Sequence, residues 1–245
     1  MSQSTRKPTP PATIKVKPIG IIHSCFSEKF GIPRQPGLAP AATGTIELYD
    51  WVAQESLEGL EQFSHLWIFF QFHQAVERGW KPRIRPPRLG GNKKIGVLGS
   101  RSPQRPNFMG HSVVYIHRVD QSKGRIHIGG LDLLDGTPVI DIKPYIPYTD
   151  SVAEATAGYA PQPDGLLNVE FSAGCERVCT DYYNRHHRDL RQLIEQVLRQ
   201  DPRPAYHQDD RSYGMRLWNT NIRFTCTTTT ITVNSIEENY HAQTT

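Results

Sequence analysis

The sequence predicts a mainly β protein, with a small β-barrel as its N-terminal lobe and a small α+β appendage at its C-terminal end. Six segments between residues 14 and 142 alternate apolar and polar side chains with the two-residue period of half-buried strands. Glycines separate most of them, at spacings that suit antiparallel strands better than units with long crossover helices. A helical apolar stripe occurs only later, between residues 175 and 199.

The predicted N-terminal lobe covers residues 14–148. Its strands are expected at residues 14–23, 45–49, 66–72, 113–119, 125–129 and 139–142. One short helix is expected at residues 56–63, where Ser56 would be the N-cap ahead of acidic residues in the first turn.

The remaining boundaries follow from changes in composition. Residues 1–13 are polar, basic and proline-containing, which predicts a disordered lead-in. Residues 149–170 begin with a small, polar stretch that is typical of a linker. The appendage, residues 171–245, is expected to hold one or two helices within 175–199, ended by prolines, and then strands within 214–232.

Positive charge is concentrated in one part of the chain. The formal net charge is only +4, but residues 77–105 carry nine Lys or Arg and one acid, whereas residues 132–170 carry seven acids and one Lys. So one-sided a stretch favours contact with nucleic acid over a solvated charged loop. Prolines keep residues 80–94 extended, and phosphate contacts are expected there from Lys81, Arg83, Arg85 and Arg88.

Several classes of protein are disfavoured by the sequence. It contains no GxGxxG, GxxxxGK[ST], GxSxG or HExxH pattern. Four cysteines are too few for a disulfide scaffold, and without a secretory signal they suggest the cytoplasm. No apolar run approaches the roughly 20 residues of a membrane-spanning helix. No metal is expected, because the spacing of Cys175, Cys179, His186 and His187 fits no standard zinc pattern.

Two stiff loops are candidates for ligand binding. Residues 30–38 (FGIPRQPGL) hold Arg34 and Gln35 among prolines and glycines, which suits rigid presentation of a cation and an amide. Residues 99–112 (GSRSPQRPNFMGHS) place Arg101 and Arg105 where they can hold a carboxylate or a phosphate in a forked geometry. For both loops the alternative is an ordinary surface turn.

A strand and an acidic segment supply further candidates. Alternation along residues 64–74 places one set of side chains on the face opposite the apolar one: His65, Trp67, Phe69, Gln71 and His73. His73 and Gln74 lie at the end of this strand and are candidate ligand contacts, although structural hydrogen bonds would also explain the histidines. In residues 129–145 a DGT turn accounts for Asp135, whereas Asp132 is a candidate to face a pocket.

Taken together, the chain resembles the TrmO (TsaA-like, formerly YaeB) family. The resemblance lies in the ordered blocks EKFGIPRQPGL, GLEQFSHLWIFFQFHQ, RPPRLGG, GSRSPQRPNFMGHS and LDLLDGTPVIDIKPY, and in DPRPAY at residues 201–206. It implies a small β-barrel methyltransferase that acts as a homodimer. The implied reaction transfers a methyl group from S-adenosylmethionine to the exocyclic N6 of threonylcarbamoyladenosine, beside the anticodon of threonine tRNA.

The same resemblance implies two sets of site residues. The cofactor would be bound by Pro33, Arg34, Gln35, His73, Gln74, Arg101, His111, Leu131, Asp132, Leu133 and Leu134. Contacts to tRNA would come from Lys81, Arg83, Arg85, Arg88, Arg105, Arg203 and Tyr206. Arg34 or Arg101 would pair with the methionine carboxylate of the cofactor. His73 and Asp132 are the candidate catalytic bases.

Two positions depart from the family pattern. Where relatives commonly have RPNPIG this chain has RPNFMG, with Phe108 in place of a proline, and His111 stands where a less titratable residue is expected. Two other functions stay open at this point. One is a non-catalytic RNA-binding module, and the other is a small-molecule enzyme whose anionic substrate is held by Arg34, Arg101 and Arg105.

Overall fold

The computed structural model describes residues 13–161, 165–203 and 211–239. The predicted lead-in, apart from its last residue, lies outside the described residues, as does Tyr206. The strands of the N-terminal lobe are β1 (Gly20–Ser24), β2 (Thr43–Leu48), β3 (His65–Gln71), β4 (Arg83–Ile84), β5 (Ile95–Gly96), β6 (Met109–Asp120), β7 (Arg125–Gly129) and β8 (Pro138–Pro144). Within the described residues, six of them close into an antiparallel barrel in the order β1-β2-β7-β6-β3-β8. The mainly β fold is therefore confirmed.

The alternation along β3 shows why the barrel closes. Leu66, Ile68 and Phe70 are buried, while the residues between them are half-exposed. Successive side chains of a strand point to opposite faces, so one face of β3 supplies the barrel interior and the other forms its outer wall. Inward residues of other barrel strands, such as Ile46 on β2 and Val114 on β6, join the same apolar core.

One predicted element, the helix expected at residues 56–63, is wrong. It is two short 3-10 turns, Gln54–Leu57 and Leu60–Gln62, because Glu58 between them has ψ of 130° and Gly59 adopts a left-handed conformation with φ of 81°. Ser56 is not the N-cap. It lies inside the first turn, where its hydroxyl donates to the carbonyl oxygen of Ala53 at 2.6 Å.

Strand limits also differ from the predicted ones. Regular pairing of the first strand begins only at Gly20, and Ile14 is 83% exposed, so the alternation before that point has no partner strand to bury it. β6 is longer than predicted because it pairs with β3 from Met109 onward. Neither β4 nor β5 was predicted. They form a two-stranded ribbon of two residues a strand, within the basic arm and just after it, too short for any periodic signal.

The C-terminal lobe combines helices with a sheet. Its elements, after the single turn α1 (Pro147–Asp150), are β9 (Asn168–Phe171), α2 (Ala173–His186), α3 (Leu190–Leu198), β10 (Ser212–Leu217), β11 (Thr220–Cys226) and β12 (Thr230–Glu238). The described strands form a sheet in the order β10-β11-β12-β9, in which β9 runs parallel to β12. β9 starts inside the segment predicted as a linker. None of the described helices has the length and apolar character needed to cross a membrane.

Helix starts in this lobe are set by capping side chains. Ser172 caps α2 by accepting a hydrogen bond from the backbone N–H of Cys175, and Asp189 caps α3 by accepting from that of Gln192. Cys175 and Cys179 are buried on α2, where they pack in the core. That core is continuous with the interior of the barrel, so the two lobes share one apolar cluster.

We predict that Gly44 on β2 is required for the close approach of β1. A Cβ atom there would lie 2.5 Å from the carbonyl oxygen of His23, a backbone atom that cannot move aside without disturbing the strand pair. Gly44→Ala should lower the free energy of unfolding by about 1–3 kcal/mol, measured by urea denaturation. Gly96→Ala on β5 is the matched control, since its Cβ would have no atom within 4 Å. Equal stability of the two variants would contradict the prediction.

Candidate functional site

A groove of about 1100 Å³ lies between the loop of residues 30–38, the basic arm of residues 80–94 and the loop that follows β5. All three had been singled out in the sequence. The cationic residues that line the groove are Arg34, Lys81, Arg83, Arg85, Arg88, Lys94 and Arg101. Among the described residues no carboxylate lines it. Its volume is at the upper end of the range for small-molecule sites, and its charge favours an anionic ligand.

Hydrogen bonds fix the loop of residues 30–38 to the barrel. The guanidinium of Arg101 donates to the side-chain oxygen of Gln35, so two residues 66 positions apart meet in the groove. The backbone N–H of Gly37 donates to the carbonyl oxygen of Gly130 at 2.8 Å. This second bond ties the loop to the segment after β7 that carries Asp132.

Two hydrogen bonds to backbone carbonyl oxygens fix the shape and position of the basic arm. The N–H of Lys81 donates to the carbonyl oxygen of Gln104 at 3.0 Å, and the Arg83 guanidinium donates to that of Lys94 at 3.3 Å across the β4–β5 ribbon. Arg105 does not line the groove. Its guanidinium donates to the carbonyl oxygen of Ser100 at 3.1 Å and so braces the loop that presents Arg101.

Asp132 is a partly buried acid near Arg101, one of the residues that line this groove. Its carboxylate accepts a hydrogen bond from the Ser112 hydroxyl at 2.7 Å. Burial raises the pKa of Asp132 to about 6, although the Ser112 hydrogen bond and the charge of Arg101 oppose the rise. Ser112 was not predicted as a site residue. Its inward position on β6, in step with buried Val114, was the available signal.

His111 and His73 are both held neutral at pH 7. Burial lowers the pKa of the His111 imidazole, and the charges of Arg101 and Arg105 lower it further. Burial and the charge of Lys29 lower the pKa of His73 in the same direction. A neutral imidazole retains one nitrogen as a hydrogen-bond or proton acceptor.

Neither histidine lines the groove itself. His111 lies on the outer wall of the barrel, with its ring 5.2 Å from that of Trp67 and 6.2 Å from that of Phe69. His73 is not on the face of β3 predicted for it. The strand ends at Gln71, and His73 begins a 3-10 turn.

The other predicted cofactor residues differ in exposure. Pro33 is buried beneath the loop, and Gln74 is exposed. Leu131, Leu133 and Leu134 point their side chains into the core, which leaves only their backbone groups for a ligand. Some of these groups are already engaged: the carbonyl oxygens of Leu133 and Leu134 accept hydrogen bonds from Ser24 and Thr137. Asp135 bonds to the backbone, but to a residue outside its DGT turn: its carboxylate accepts from the backbone N–H of Ser24 on β1 at 2.8 Å.

Phe108 takes a backbone conformation that excludes proline. Its φ is 51°, whereas the proline ring holds φ near −65°. Its carbonyl oxygen accepts from the N–H of Phe72 at 2.7 Å, so the RPNFMG turn is joined to the end of β3. The backbone at position 108 therefore follows a path that a proline could not adopt.

In the C-terminal lobe Arg203 has a partner within its own chain. Its guanidinium forks the carboxylate of Asp201, with N–O distances of 2.8 and 2.9 Å, and its side chain is 10% exposed. In the described part of the chain no group of three or more His, Cys, Asp or Glu is placed to hold a metal ion.

The groove also has an apolar wall that sequence reasoning missed. Leu98, Tyr159 and Leu166 line it, and the Tyr159 hydroxyl donates to the carbonyl oxygen of Gly99 at 3.4 Å. Two of these residues come from the segment predicted as a linker, whose composition gave no sign of packing.

Two family models match the chain. The model described as tRNA-methyltransferase O N-terminal domain covers residues 21–151, and that described as TrmO C-terminal domain covers residues 164–239. Together they span the barrel and the C-terminal sheet.

Curated relatives and solved structures agree with these models. The chain is 51% identical over 217 residues to the Pseudomonas aeruginosa protein named "Putative S-adenosylmethionine-dependent methyltransferase RcsF", covering 86% of this chain and 92% of that one. It is 43% identical over 223 residues to the tRNA (adenine(37)-N6)-methyltransferase of Escherichia coli, covering 88% and 94%. A crystal structure of TrmO from P. aeruginosa superposes with a TM-score of 0.80 at 44% identity, covering 94% of this chain and 99% of that one.

We predict that Asp132 lowers the stability of the fold at neutral pH. Its folded pKa of about 6 lies above the unfolded value, so the ionised form is disfavoured in the native state. The cost is absent below the unfolded pKa, grows as pH rises towards 6, and is complete above it. Asp132→Asn should therefore raise the free energy of unfolding at pH 8 by up to about 3 kcal/mol, and by much less at pH 4.5.

Urea denaturation at the two pH values checks this. Asp120→Asn is the control of opposite sign, because a hydrogen bond from Ser122 and neighbouring cations lower the pKa of Asp120. Its removal should lower stability at pH 8. If Asp132→Asn were less stable than the wild type at pH 8, the Asp132 carboxylate would be a net stabilising group and the prediction would be wrong.

Proposed function

This chain belongs to the tRNA-methyltransferase O (TrmO) family and is an S-adenosylmethionine-dependent tRNA (adenine-N6)-methyltransferase, and we propose that its substrate is threonylcarbamoyladenosine beside the anticodon, in threonine tRNA. In that nucleoside the exocyclic nitrogen already carries a carbamoyl-threonine group. The substrate therefore brings its own carboxylate to the site, in addition to the phosphates of the tRNA.

The observation that carries this proposal is the excess of cations in the groove. One cofactor carboxylate would occupy at most one or two of the seven Lys and Arg side chains that line it. A second carboxylate on the substrate, together with phosphates, accounts for the rest. An unmodified adenosine would leave Arg34 and Arg101 with less negative charge to neutralise.

The residues of the site also fit S-adenosylmethionine. Arg34 and Arg101 suit its carboxylate, and the carboxylate of Asp132 suits its amine or ribose hydroxyls. When bound, the cofactor supplies a methyl group on a positively charged sulfur. Displacement at such a carbon needs alignment of the two reactants, so the protein contributes mainly by positioning them. The hydrogen bond between Arg101 and Gln35 holds both side chains in place before any ligand binds.

The chain has to accept a proton from the nitrogen that is methylated. With a pKa of about 6, Asp132 is mostly ionised at pH 7, and His73 is neutral there. Either group is able to act as the base. Asp132 is the stronger candidate because it interacts electrostatically with Arg101, which lines the groove.

The arm of residues 80–94 is proposed to contact the phosphates of the tRNA. Lys81, Arg83, Arg85 and Arg88 form one rim of the groove, so a strand that delivers a base to Arg101 passes along them. Family membership favours this function over a non-catalytic RNA-binding module and over a small-molecule enzyme. A homodimer, which the resemblance implies, and a cytoplasmic location, which the cysteine content suggests, are proposed with it.

We expect methylation to depend on the threonylcarbamoyl group and on Arg101. Purified protein, labelled S-adenosylmethionine and threonylcarbamoyl-modified threonine tRNA should give a methylated nucleoside, detected by mass spectrometry of the digested tRNA. Arg101→Ala should reduce kcat/KM by roughly 10- to 100-fold, the range for loss of a charge-assisted hydrogen bond. Threonine tRNA without the threonylcarbamoyl group is the control and should give no product. Equal methylation of both tRNAs would refute the proposed substrate.

We also expect Arg83→Ala to weaken tRNA binding through the loss of one phosphate contact. The slope of log K against log salt concentration should become shallower by about 0.7 to 0.9, measured by filter binding between 50 and 200 mM salt. Arg118→Ala is the matched control, because Arg118 lies near the far end of β6 from the site and is exposed. Should Arg83→Ala keep the wild-type slope, the arm does not bind phosphate at this position.

A further inference from the structure

The loop that presents Arg34 and Gln35 is held between the two lobes. On the barrel side it is fixed by the bond from Gly37 to Gly130 and by the Arg101–Gln35 pair. On the opposite side it lies against α3 and the C-terminal sheet. The contacts with α3 and the C-terminal sheet are separate from the basic arm and from the loop after β5.

Two glutamines on α3 and just after it bond to the backbone at the end of this loop. The side-chain oxygen of Gln196 accepts from the N–H of Ala41 at 2.7 Å. The side-chain N–H of Gln200, one turn later, donates to the carbonyl oxygen of Leu38 at 2.9 Å and to that of Gln196 at 2.8 Å. The positions of Leu38 and Ala41 are therefore set by the C-terminal lobe.

Apolar contacts hold the beginning of the loop against the same lobe. The Phe30 ring stacks on Tyr213 and Phe224, with centroids 6.3 and 6.4 Å apart. Gly31 leaves room for Met215, since a Cβ atom there would lie 3.2 Å from its sulfur. Such packing is tolerant of small shifts, whereas a hydrogen bond to a backbone N–H fixes a particular register.

We propose that Gln196 is a positioning residue for cofactor binding: from the C-terminal lobe it fixes the loop that carries Arg34 and Gln35. Gln196 does not line the groove, and it acts through the backbone of Ala41. The C-terminal lobe then contributes to cofactor affinity, separately from any contact with tRNA. This inference rests on the proposed placement of the cofactor against Arg34 and Gln35.

Three variants of α3 test it in the ligand-free and the cofactor-bound protein. Gln196→Leu removes the acceptor and leaves the Ala41 N–H unpaired, Gln196→Glu keeps an acceptor oxygen, and Gln192→Leu makes the same change at an exposed position one turn earlier. The dissociation constant of S-adenosylmethionine is measured by calorimetry without tRNA. Amide hydrogen exchange of residues 38–42 is measured in the free protein, and tRNA affinity is measured without cofactor.

Gln196→Leu should weaken cofactor binding about fivefold, the equilibrium effect of losing one neutral hydrogen bond, and should speed exchange at Ala41. Gln196→Glu and Gln192→Leu should bind the cofactor within about twofold of the wild type, since neither loses the acceptor. All three should bind tRNA as the wild type does.

Wild-type cofactor affinity in Gln196→Leu would overturn the proposal, as would an equal loss in Gln192→Leu. Faster exchange throughout the C-terminal sheet would also overturn it, because Gln196 would then only stabilise the lobe. Gln35→Ala tests the underlying site separately. If Gln35→Ala weakens cofactor binding and Gln196→Leu does not, the site stands and the positioning role fails. If Gln35→Ala binds normally, the placement of the cofactor fails, and with it the inference.

Discussion

The fold depends on burying one face of the segment between β1 and β2 against the C-terminal lobe. Phe26 and Ala39 belong to the same apolar cluster as Ile194 on α3 and Phe224 on β11. Hydrophobic burial is non-directional, so it brings the lobes together without fixing their register. Directional bonds add the register: the N–H of Trp218 donates to the carbonyl oxygen of Cys25 at 2.8 Å. A ligand loop held from both sides in this way loses little additional freedom when a ligand binds.

The site places cationic side chains and hydrogen-bond acceptors in different positions. Cations line the groove, while the carboxylate of Asp132 lies outside its lining and accepts a hydrogen bond from Ser112. Burial raises the pKa of Asp132 to about 6 despite the opposing effects of Ser112 and Arg101. This value is close to physiological pH, where a carboxyl group can both accept and release a proton. Partial burial lowers the pKa of His73 and His111, and neighbouring cations lower it further, which favours the neutral imidazoles at pH 7. At pH 7 the cationic side chains can therefore bind anionic groups, while Asp132 and the two imidazoles can accept protons or hydrogen bonds.

Much of the barrel could be predicted, because the two-residue alternation of half-buried strands is visible in a single sequence. β3 is the clearest case, with Leu66, Ile68 and Phe70 buried in turn. Elements without such a period were missed. β4 and β5 have two residues each, and β9 pairs in parallel with a strand about 60 residues later, a contact that no local pattern encodes. The 3-10 turns at residues 54–62 do not join into a helix, because Glu58 ends the first turn with ψ of 130° and Gly59 precedes the second with a left-handed φ.

The same distinction separates the site residues that could be found from those that could not. Arg34, Gln35 and Arg101 lie in stiff proline-containing loops with a composition that marks them, and the structure brings them into one groove. Ser112 and Gln196 look like an ordinary strand residue and an ordinary helix residue. Their importance comes only from the partner that the fold places opposite, Asp132 at 2.7 Å and Ala41 at 2.7 Å. Residues that contact a ligand need particular side-chain chemistry, which can be recognised in a sequence. Residues that position them depend on contacts formed only in the folded structure. Positioning comes here from both lobes, from Ser112 within the barrel and from Gln196 in the C-terminal lobe.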